Sequence, residues 1–272
     1  MTAWTEVGDR VFVTRYAFYN QNIGVVLGDT SVLLVDTRLS HRQAEEIKTD
    51  LRALTRLPVG VVVNTHGHSD HCFGNHPFRP ATIWGHERCV TMIESTGERQ
   101  RQGTIAAIPE LASELYEVML DPPDRVFAES ATVEIDPGGR SVELRYLGRG
   151  HTDNDIVVLV PDADVMFAGD LVEADATPFF GDGFPIDWPE TVERLVELVT
   201  GSVVPGHGSV GDRAFAVRQM AGFREVAELA RLVDAGVIGI DAAIVRTPYP
   251  ADAAMEPLTR AMAQLRGELD GV

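Results

Sequence analysis

The sequence predicts one layered α/β domain in which helices lie outside β-sheets. Segments typical of strands and segments typical of helices alternate through both halves of the 272-residue chain, a mixture that favours packed layers. No internal repeat, low-complexity tract or linker rich in Pro, Gly or Ser divides the sequence. The composition, with 44% hydrophobic and 24% charged residues, is typical of a globular protein with a sizeable core. We therefore expect a single domain over residues 1–272.

Short apolar runs bounded by turn residues predict the strands. They lie at 11–15, 23–27, 31–36, 59–65, 82–84, 131–135, 141–147, 156–160 and 165–169. Gly28-Asp29 favours a hairpin between the second and third of these strands. The sequence Asp136-Pro137-Gly138-Gly139 has turn composition between two later ones. The run 59–65 is apolar without alternation, which indicates a strand covered on both faces.

Capping residues and the helical spacing of apolar residues predict the helices. The clearest helix covers 41–54, where Ser40 and Gln43 have the form of a capping box. Further helical segments are expected from about Glu87, over 105–119, from Asp187, and for most of the chain from about residue 212. The last segment could pack on its own chain or form a homodimer face, and the sequence leaves both open.

The formal net charge of −18 restricts the partners of this protein. Because such a chain repels nucleic acid and anionic membranes, we expect neither as a partner and a small-molecule substrate instead. No apolar run approaches the roughly 18 residues of a membrane span, and the N-terminus lacks the basic and apolar stretches of a signal peptide. We expect a cytoplasmic protein in which Cys72 and Cys89 are free thiols.

The sequence THGHSDH, at 65–71, places three histidines and an aspartate at the end of the predicted strand 59–65. Three other candidates follow strand-like sequence in Gly-rich surroundings, within GRGHTDND, FAGDLV and PGHG. Since loops at the carboxyl ends of strands converge in layered α/β folds, we expect all these groups to meet at one edge. The seven candidate metal ligands are His66, His68, Asp70, His71, His151, Asp170 and His207.

This donor set predicts two divalent metal ions. One would be held by His66, His68 and His151, and the second by Asp70, His71 and His207, with Asp170 bridging the two. Imidazole and carboxylate ligands suit zinc, iron or manganese, and zinc is our first choice. A shared metal lowers the pKa of bound water from about 15.7 toward roughly 7, so hydroxide becomes available for hydrolysis at neutral pH.

The motifs THGHSDH, GHTDND, AGDLV and PGHG, in this order, resemble those of the metallo-β-lactamase superfamily from about Asn22 to Gly208. The resemblance implies a four-layer αβ/βα sandwich of two mixed sheets with outer helices and a dinuclear site at one edge. It also implies that Asp36 is a buried carboxylate behind the metal ligands. Asp70 would be catalytic as well as a ligand, because it would orient the hydroxide.

The sequence around GHTDND and AGDLV is similar to the β-lactamase branch of the superfamily, with two departures. Asp170 stands where that branch has a metal-binding cysteine, and Glu173 stands where it has a lysine that pairs with the antibiotic carboxylate. Because an anion replaces a cation, we expect weak benzylpenicillin turnover that Glu173→Lys would raise. Phe179, Phe180, Phe184 and Trp188 follow in a Gly-rich loop and are expected to line the substrate cleft together with Glu173.

The expected activity is hydrolysis of the carbonyl of an ester, thioester, lactone or β-lactam-like small substrate. An aspartate in the bridging position is what the thioesterase and lactonase branches use. Two alternatives stay open: a β-lactamase proper, and a mononuclear iron enzyme similar to the persulfide dioxygenase branch. Metal content would separate these alternatives, since one iron per chain favours oxidation and two zincs favour hydrolysis.

Overall fold

The computed structural model describes residues 3–136 and 139–269, so the middle of the turn predicted at 136–139 and the last three residues lie outside it. The described residues form two mixed β-sheets and eight α-helices. The first sheet has the order β1 (Thr5–Gly8), β2 (Val11–Tyr16), β3 (Gln21–Leu27), β4 (Val32–Val35), β5 (Val59–Val63), β6 (Thr82–His86) and β7 (Arg125–Phe127). Its first four strands are antiparallel neighbours, and β4 to β7 run parallel.

The second sheet has five strands. Its two strands that come last in the sequence are parallel to each other, and all other neighbours are antiparallel. In spatial order they are β12 (Ser202–Pro205), β11 (Val165–Gly169), β10 (Ile156–Val160), β9 (Ser141–Tyr146) and β8 (Ser130–Glu134). The helices are α1 (His41–Leu54), α2 (Ser69–Cys72), α3 (Glu87–Ala107), α4 (Ala112–Tyr116), α5 (Trp188–Leu198), α6 (Arg213–Asp234), α7 (Ile240–Arg246) and α8 (Met255–Leu265).

The two sheets pack face to face through apolar side chains, and helices cover their outer faces. Val35 and Val63 of the first sheet share one buried cluster with Phe167 and Val204 of the second. On the outer face of the first sheet, Ile47 of α1 packs on the strand residues of a separate cluster. Helices α5 and α6 contribute to the cluster outside the second sheet. Burial on both faces explains the uninterrupted valine runs, and the four-layer αβ/βα sandwich predicted from the resemblance is confirmed.

Several element boundaries differ from the sequence prediction. The edge strands β1 and β7 were not predicted, because both are short and partly exposed and therefore lack a clear apolar pattern. The helix expected over 105–119 is wrong: α3 continues to Ala107, and Pro109 follows before the short α4. Among the described helices, none has the length and apolar character that a membrane span requires.

Candidate metal centre

Every predicted ligand lies just beyond the end of a strand, at one edge of the sandwich. His66 and His68 follow β5, and Asp70 and His71 belong to the single turn of α2. The other three, His151, Asp170 and His207, lie in the loops after β9, β11 and β12. The parallel strands β4, β5, β11 and β12 all point their carboxyl ends towards this edge, which is why the loops converge there.

Three histidine nitrogens form the first group. His68 Nδ1 lies 3.1 Å from His66 Nε2 and 2.8 Å from His151 Nε2. A zinc ion takes imidazole nitrogens at about 2.0–2.1 Å, so two ligands of one tetrahedral ion are about 3.3 Å apart. The observed separations are close to that value, and these three atoms could hold one ion.

The second group contains one carboxylate and two imidazoles. His71 Nε2 lies 3.2 Å from His207 Nε2, and Asp70 Oδ2 lies 3.3 Å from each of these two nitrogens. The same ligand spacing applies here, so Asp70, His71 and His207 could hold a second ion.

Asp170 lies between the two groups. Its Oδ2 is 3.4 Å from His151 Nε2 and 3.7 Å from His66 Nε2 on one side, and 3.4 Å from His71 Nε2 and 3.3 Å from His207 Nε2 on the other. Its Oδ1 is buried without a hydrogen-bond partner in the described part of the chain. Only glycine fits at position 206, because a Cβ there would lie 1.8 Å from this oxygen. A buried carboxylate without donors is costly unless a cation neutralises it, so Asp170 fits a bridging ligand.

The ring nitrogen that faces away from the cluster has a hydrogen-bonding partner in all five histidines. The partners are Thr65 Oγ1 for His66 (3.1 Å), Asp182 for His68 (3.0 Å), Asp36 Oδ2 for His71 (2.8 Å), the Phe179 carbonyl for His151 (3.1 Å) and the Tyr19 carbonyl for His207 (2.7 Å). Acceptors behind the rings fix the tautomer in which the nitrogen facing the cluster carries a free lone pair. The imidazoles are thus preorganised to ligate.

Asp36 holds one of these rings from behind, as the resemblance implied. One of its carboxylate oxygens accepts from the Thr65 backbone N–H at 2.8 Å, and the other accepts from the Thr65 hydroxyl and from His71 Nδ1, each at 2.8 Å. Asp36 has a φ of 64°, a left-handed conformation that aspartate tolerates better than most residues. This conformation, directly after β4, places the Asp36 carboxylate against Thr65 and His71.

The pKa values of the candidate ligands are shifted in both directions. In the first group, burial disfavours charge on His68, but the Asp182 carboxylate outweighs it and raises the pKa of His68. Burial lowers the pKa of His66 well below its usual value and that of His151 to about 4, which favours neutral imidazoles. Burial also disfavours charge on His71 and His207, but Asp170 and Asp70 outweigh it and raise the pKa of His207 to about 11 and that of His71 well above its usual value. Protons thus neutralise the carboxylates of the second group, in the place that a divalent cation would take.

The comparisons with known proteins agree with this geometry. Residues 16–207, most of the chain, match the model of the family described as the metallo-beta-lactamase superfamily. The chain belongs to the metallo-beta-lactamase superfamily. It is 24% identical over 205 residues to a metallo-beta-lactamase type 2 from Bacillus cereus, covering 72% of this chain and 71% of that protein.

Two further similar proteins are named for different activities. The 2,4-dinitroanisole O-demethylase subunit alpha of Nocardioides sp. (strain JS1661) is 27% identical over 184 residues, which is 66% of this chain and 50% of that protein. The solved structure of a metallo-beta-lactamase from Pontibacter korlensis superposes with a TM-score of 0.67 at 22% identity, covering 82% of this chain and 99% of that one. The fold is shared with the solved structure, and the activities named for the relatives differ.

A cleft of about 700 Å³ opens beside the seven groups of this metallo-beta-lactamase superfamily protein. One wall is α3, with Thr96, Arg99, Gln100, Gly103 and Thr104. The opposite wall is the loop after β11, with Glu173, Ala174, Ala176, Phe179, Gly181 and Asp182. Tyr19 and Asn20 also line the cleft, and His68, Ser69, Asp70, His151, Asp170 and His207 are at its base. A small molecule in this cleft would therefore lie directly against the ligands.

The loop aromatics divide between the cleft and the core. Phe179 lines the cleft and is 51% exposed, and its contact with a substrate stays a prediction. Phe180 and Trp188 were predicted to line the cleft as well, but both are completely buried and pack with Phe223 of α6. Phe184 is also buried and does not line the cleft. Docking of α5 and α6 on the second sheet takes Phe180 and Trp188 into the core, and the Phe184 ring lies under the Arg149 guanidinium at 4.6 Å.

Glu173 lines the cleft wall but is almost fully buried. Its Oε1 accepts from the Phe179 backbone N–H at 2.9 Å. Burial, followed by the nearby Asp170 carboxylate, raises the pKa of Glu173 to about 8. Glu173 therefore holds Phe179, whose carbonyl is the partner of His151. A lysine at position 173 would lose the hydrogen bond to the Phe179 N–H.

Sequence reasoning missed two residues that position the ligands. Asp182 accepts from His68 Nε2 at 3.0 Å, although it lies in an irregular loop 114 residues further along the chain. Gln100 of α3 accepts from the Ser69 N–H at 2.7 Å and donates to the Gly67 carbonyl at 3.1 Å. The sequence offered only composition as a signal: Asp182 stands between two glycines, and Gln100 stands in a polar stretch of the predicted helix.

Proposed function

We propose that this protein is a dinuclear, zinc-dependent hydrolase that attacks the carbonyl of a small ester, thioester, lactone or β-lactam-like substrate. His66, His68 and His151 would hold one ion, Asp70, His71 and His207 the other, and Asp170 would bridge. The observation that carries the proposal is the position of Asp170 Oδ2 within 3.3 to 3.7 Å of four imidazole nitrogens from both groups. A structural zinc needs four ligands, so seven converging groups beside an open cleft favour catalysis.

Bound zinc would supply a water that ionises near neutral pH and a Lewis acid for the carbonyl. The residues of the chain would place the reactants around it. Asp70 lies at the base of the cleft, where its carboxylate can accept a hydrogen bond from the attacking water. The partners behind the histidines keep the rings from rotating, which holds the reacting geometry before the substrate arrives.

The substrate would enter between α3 and the loop after β11, with its acyl group along the cleft. Phe179 offers an exposed aromatic face there, 6.0 Å from the His151 ring and 6.2 Å from the His68 ring between centroids. An acyl chain or ring packed on Phe179 would therefore place its carbonyl beside the ligand cluster. Hydrolysis of a β-lactam is the second candidate, favoured by the relatives that are named metallo-beta-lactamases.

Metal content and a substrate panel test the proposal. Protein purified and then equilibrated with zinc should bind two ions per chain by elemental analysis and hydrolyse at least one of a panel of esters, thioesters, lactones and β-lactams. Asp170→Asn should retain at most one ion and lose about a thousandfold or more of kcat, as removal of a bridging ligand predicts. Asp9→Asn is the matched control, because it removes an exposed carboxylate from the turn between β1 and β2. One iron per chain with no hydrolysis would instead support an oxidoreductase.

A further inference from the structure

The walls of the cleft carry charge unequally. Of the described residues that line it, Arg99 is the single lysine or arginine. The lining carboxylates already have partners: Asp182 binds His68, Glu173 binds the Phe179 N–H, and Asp70 and Asp170 face the histidines. In a chain with a formal charge of −18, the α3 wall is thus the one place in the cleft with an available cation outside the ligand cluster.

The Arg99 guanidinium has no ion pair or hydrogen bond within the described residues. The contrast with Arg101 on the same helix is informative. Arg101 donates to the carbonyls of Leu115 and Val118 and pairs with Glu98, so its charge is used to dock the segment after α3. Arg99 faces the cleft instead, exposed and unpaired. An arginine in this state offers a fork of donors that matches a carboxylate.

Arg99 is also held at a defined place relative to the ligands. Its neighbour Gln100 bonds to the Ser69 N–H and the Gly67 carbonyl, which belong to the loop that carries His66, His68 and Asp70. One turn further along α3, a Cβ at Gly103 would meet no atom within 4 Å, so open space adjoins Arg99. The helix therefore presents a cation beside room for a ligand.

We propose that Arg99 is a specificity residue that binds a carboxylate on the substrate, remote from the carbonyl that is attacked. This inference rests on the proposed hydrolase function and assigns its substrate class: a small acyl compound that carries a second, anionic group. The substrate would lie with its carboxylate on the α3 wall and its reacting carbonyl over the ligand cluster. Among the described residues that line the cleft, the loop after β11 offers no cation, and its Glu173 and Asp182 are already bonded to the Phe179 N–H and to His68, so the α3 wall would fix the orientation of the anion.

A matched pair of esters tests the assignment. The para-nitrophenyl half-ester of glutaric acid and para-nitrophenyl pentanoate have acyl chains of equal length and differ in the terminal carboxylate. With the zinc-loaded enzyme, Arg99→Gln should lower kcat/KM for the half-ester about fivefold, the upper range for a partly exposed ion pair, mainly through KM. The pentanoate should be unaffected, and Arg99→Lys should restore most of the half-ester activity. Equal losses on both esters, or no loss on either, would overturn the proposal.

Ligand binding separates this proposal from the proposed hydrolysis. Isothermal titration of glutarate into the zinc-loaded wild type and into Arg99→Gln should show about fivefold weaker binding to the variant, while pentanoate binds both alike. Arg231→Gln, which removes an exposed arginine of α6 outside the cleft, should bind glutarate like the wild type. If wild type hydrolyses no ester but this difference is found, the hydrolase proposal fails and the anion site stands. Equal glutarate affinities in wild type and Arg99→Gln would eliminate the anion site whether or not esters are hydrolysed.

Discussion

The ligand cluster and the cleft walls are built on opposite principles. In the cluster, each histidine is held from behind by a hydroxyl, a carboxylate or a carbonyl, and His66, His71 and His151 are at most 1% exposed. On the α3 wall, the Arg99 side chain has no partner within the described residues, and a Cβ at Gly103 would meet open space. If the protein is the hydrolase proposed above, the fold would fix its chemistry, and side chains with few contacts would select its substrate. Changes in the cluster should therefore affect metal binding, and changes in the walls should affect the choice of substrate.

Outside the seven candidate ligands, the largest effect is expected at Asp36, which tests whether the partners behind the histidines matter. Asp36→Asn keeps the shape of the side chain and tolerates the positive φ, but it removes the charge that faces His71 Nδ1. Loss of a carboxylate behind a ligating histidine typically weakens metal binding by about 10- to 100-fold. Zinc affinity, measured by competition with a chromogenic chelator, should fall by that amount.

Asp50→Asn is the control for this change, because Asp50 is a buried carboxylate that bonds to Tyr16 far from the cluster. Its zinc affinity should match that of the wild type. An Asp36→Asn protein with wild-type affinity would show that the fold alone, without this charge, holds His71 in place.

The contrast between cluster and walls also explains what the sequence could predict. The four motifs name the seven candidate ligands directly, because metal ligation would restrict residue type and spacing, and the structure brings all seven side chains together. The family resemblance and the sandwich were predicted correctly. Asp182 was not found, because its bond to His68 depends on the path of an irregular loop and on contacts with α8 that no local pattern encodes. Phe180 was misplaced because a loop has no periodicity to separate buried from exposed aromatics, and Trp188 because it is the first residue of α5 and packs inward with that helix.

A smaller and more selective effect is expected at Gly103 on the cleft wall. Its φ lies outside the left-handed region and nothing crowds its Cβ position, so leucine fits there without backbone strain. Gly103→Leu should raise the free energy of unfolding by up to about 1 kcal/mol, because leucine is the better helix former. The side chain should narrow the cleft and raise KM for long acyl esters about tenfold, with acetyl esters unaffected, since a blocked pocket loses the burial of the chain.

Gly103→Ala is the matched control at the same position. It should give a similar gain in the midpoint of thermal unfolding but leave KM for long acyl esters near the wild-type value. If Leu and Ala variants handle long and short esters alike, the substrate does not occupy the α3 wall.

The smallest effect is expected at Arg260, where the C-terminal helices reach the site. Arg260 of α8 donates to the Asp182 carbonyl at 2.7 Å and to the Gly183 carbonyl at 2.8 Å, and Gln264 accepts from the Ile186 N–H at 2.8 Å. The family match ends at residue 207, so these contacts of α8 with the loop come from outside the matched region. Arg260→Met keeps much of the side-chain volume but loses both bonds to the loop, and the loop should then open more often.

Amide hydrogen exchange should therefore speed up across 182–186 in Arg260→Met, and kcat/KM should fall about threefold, which corresponds to the lower range of the net free energy of a hydrogen bond, because the loop keeps its other contacts. Zinc stoichiometry should stay unchanged, because Asp182 supports His68 without being a ligand. Arg266→Met is the control. Arg266 directly follows α8 and pairs with Asp234 at the end of α6, and no contact joins it to the loop in the described part of the chain. Unchanged exchange in Arg260→Met would mean that the loop keeps its shape without the two hydrogen bonds from Arg260.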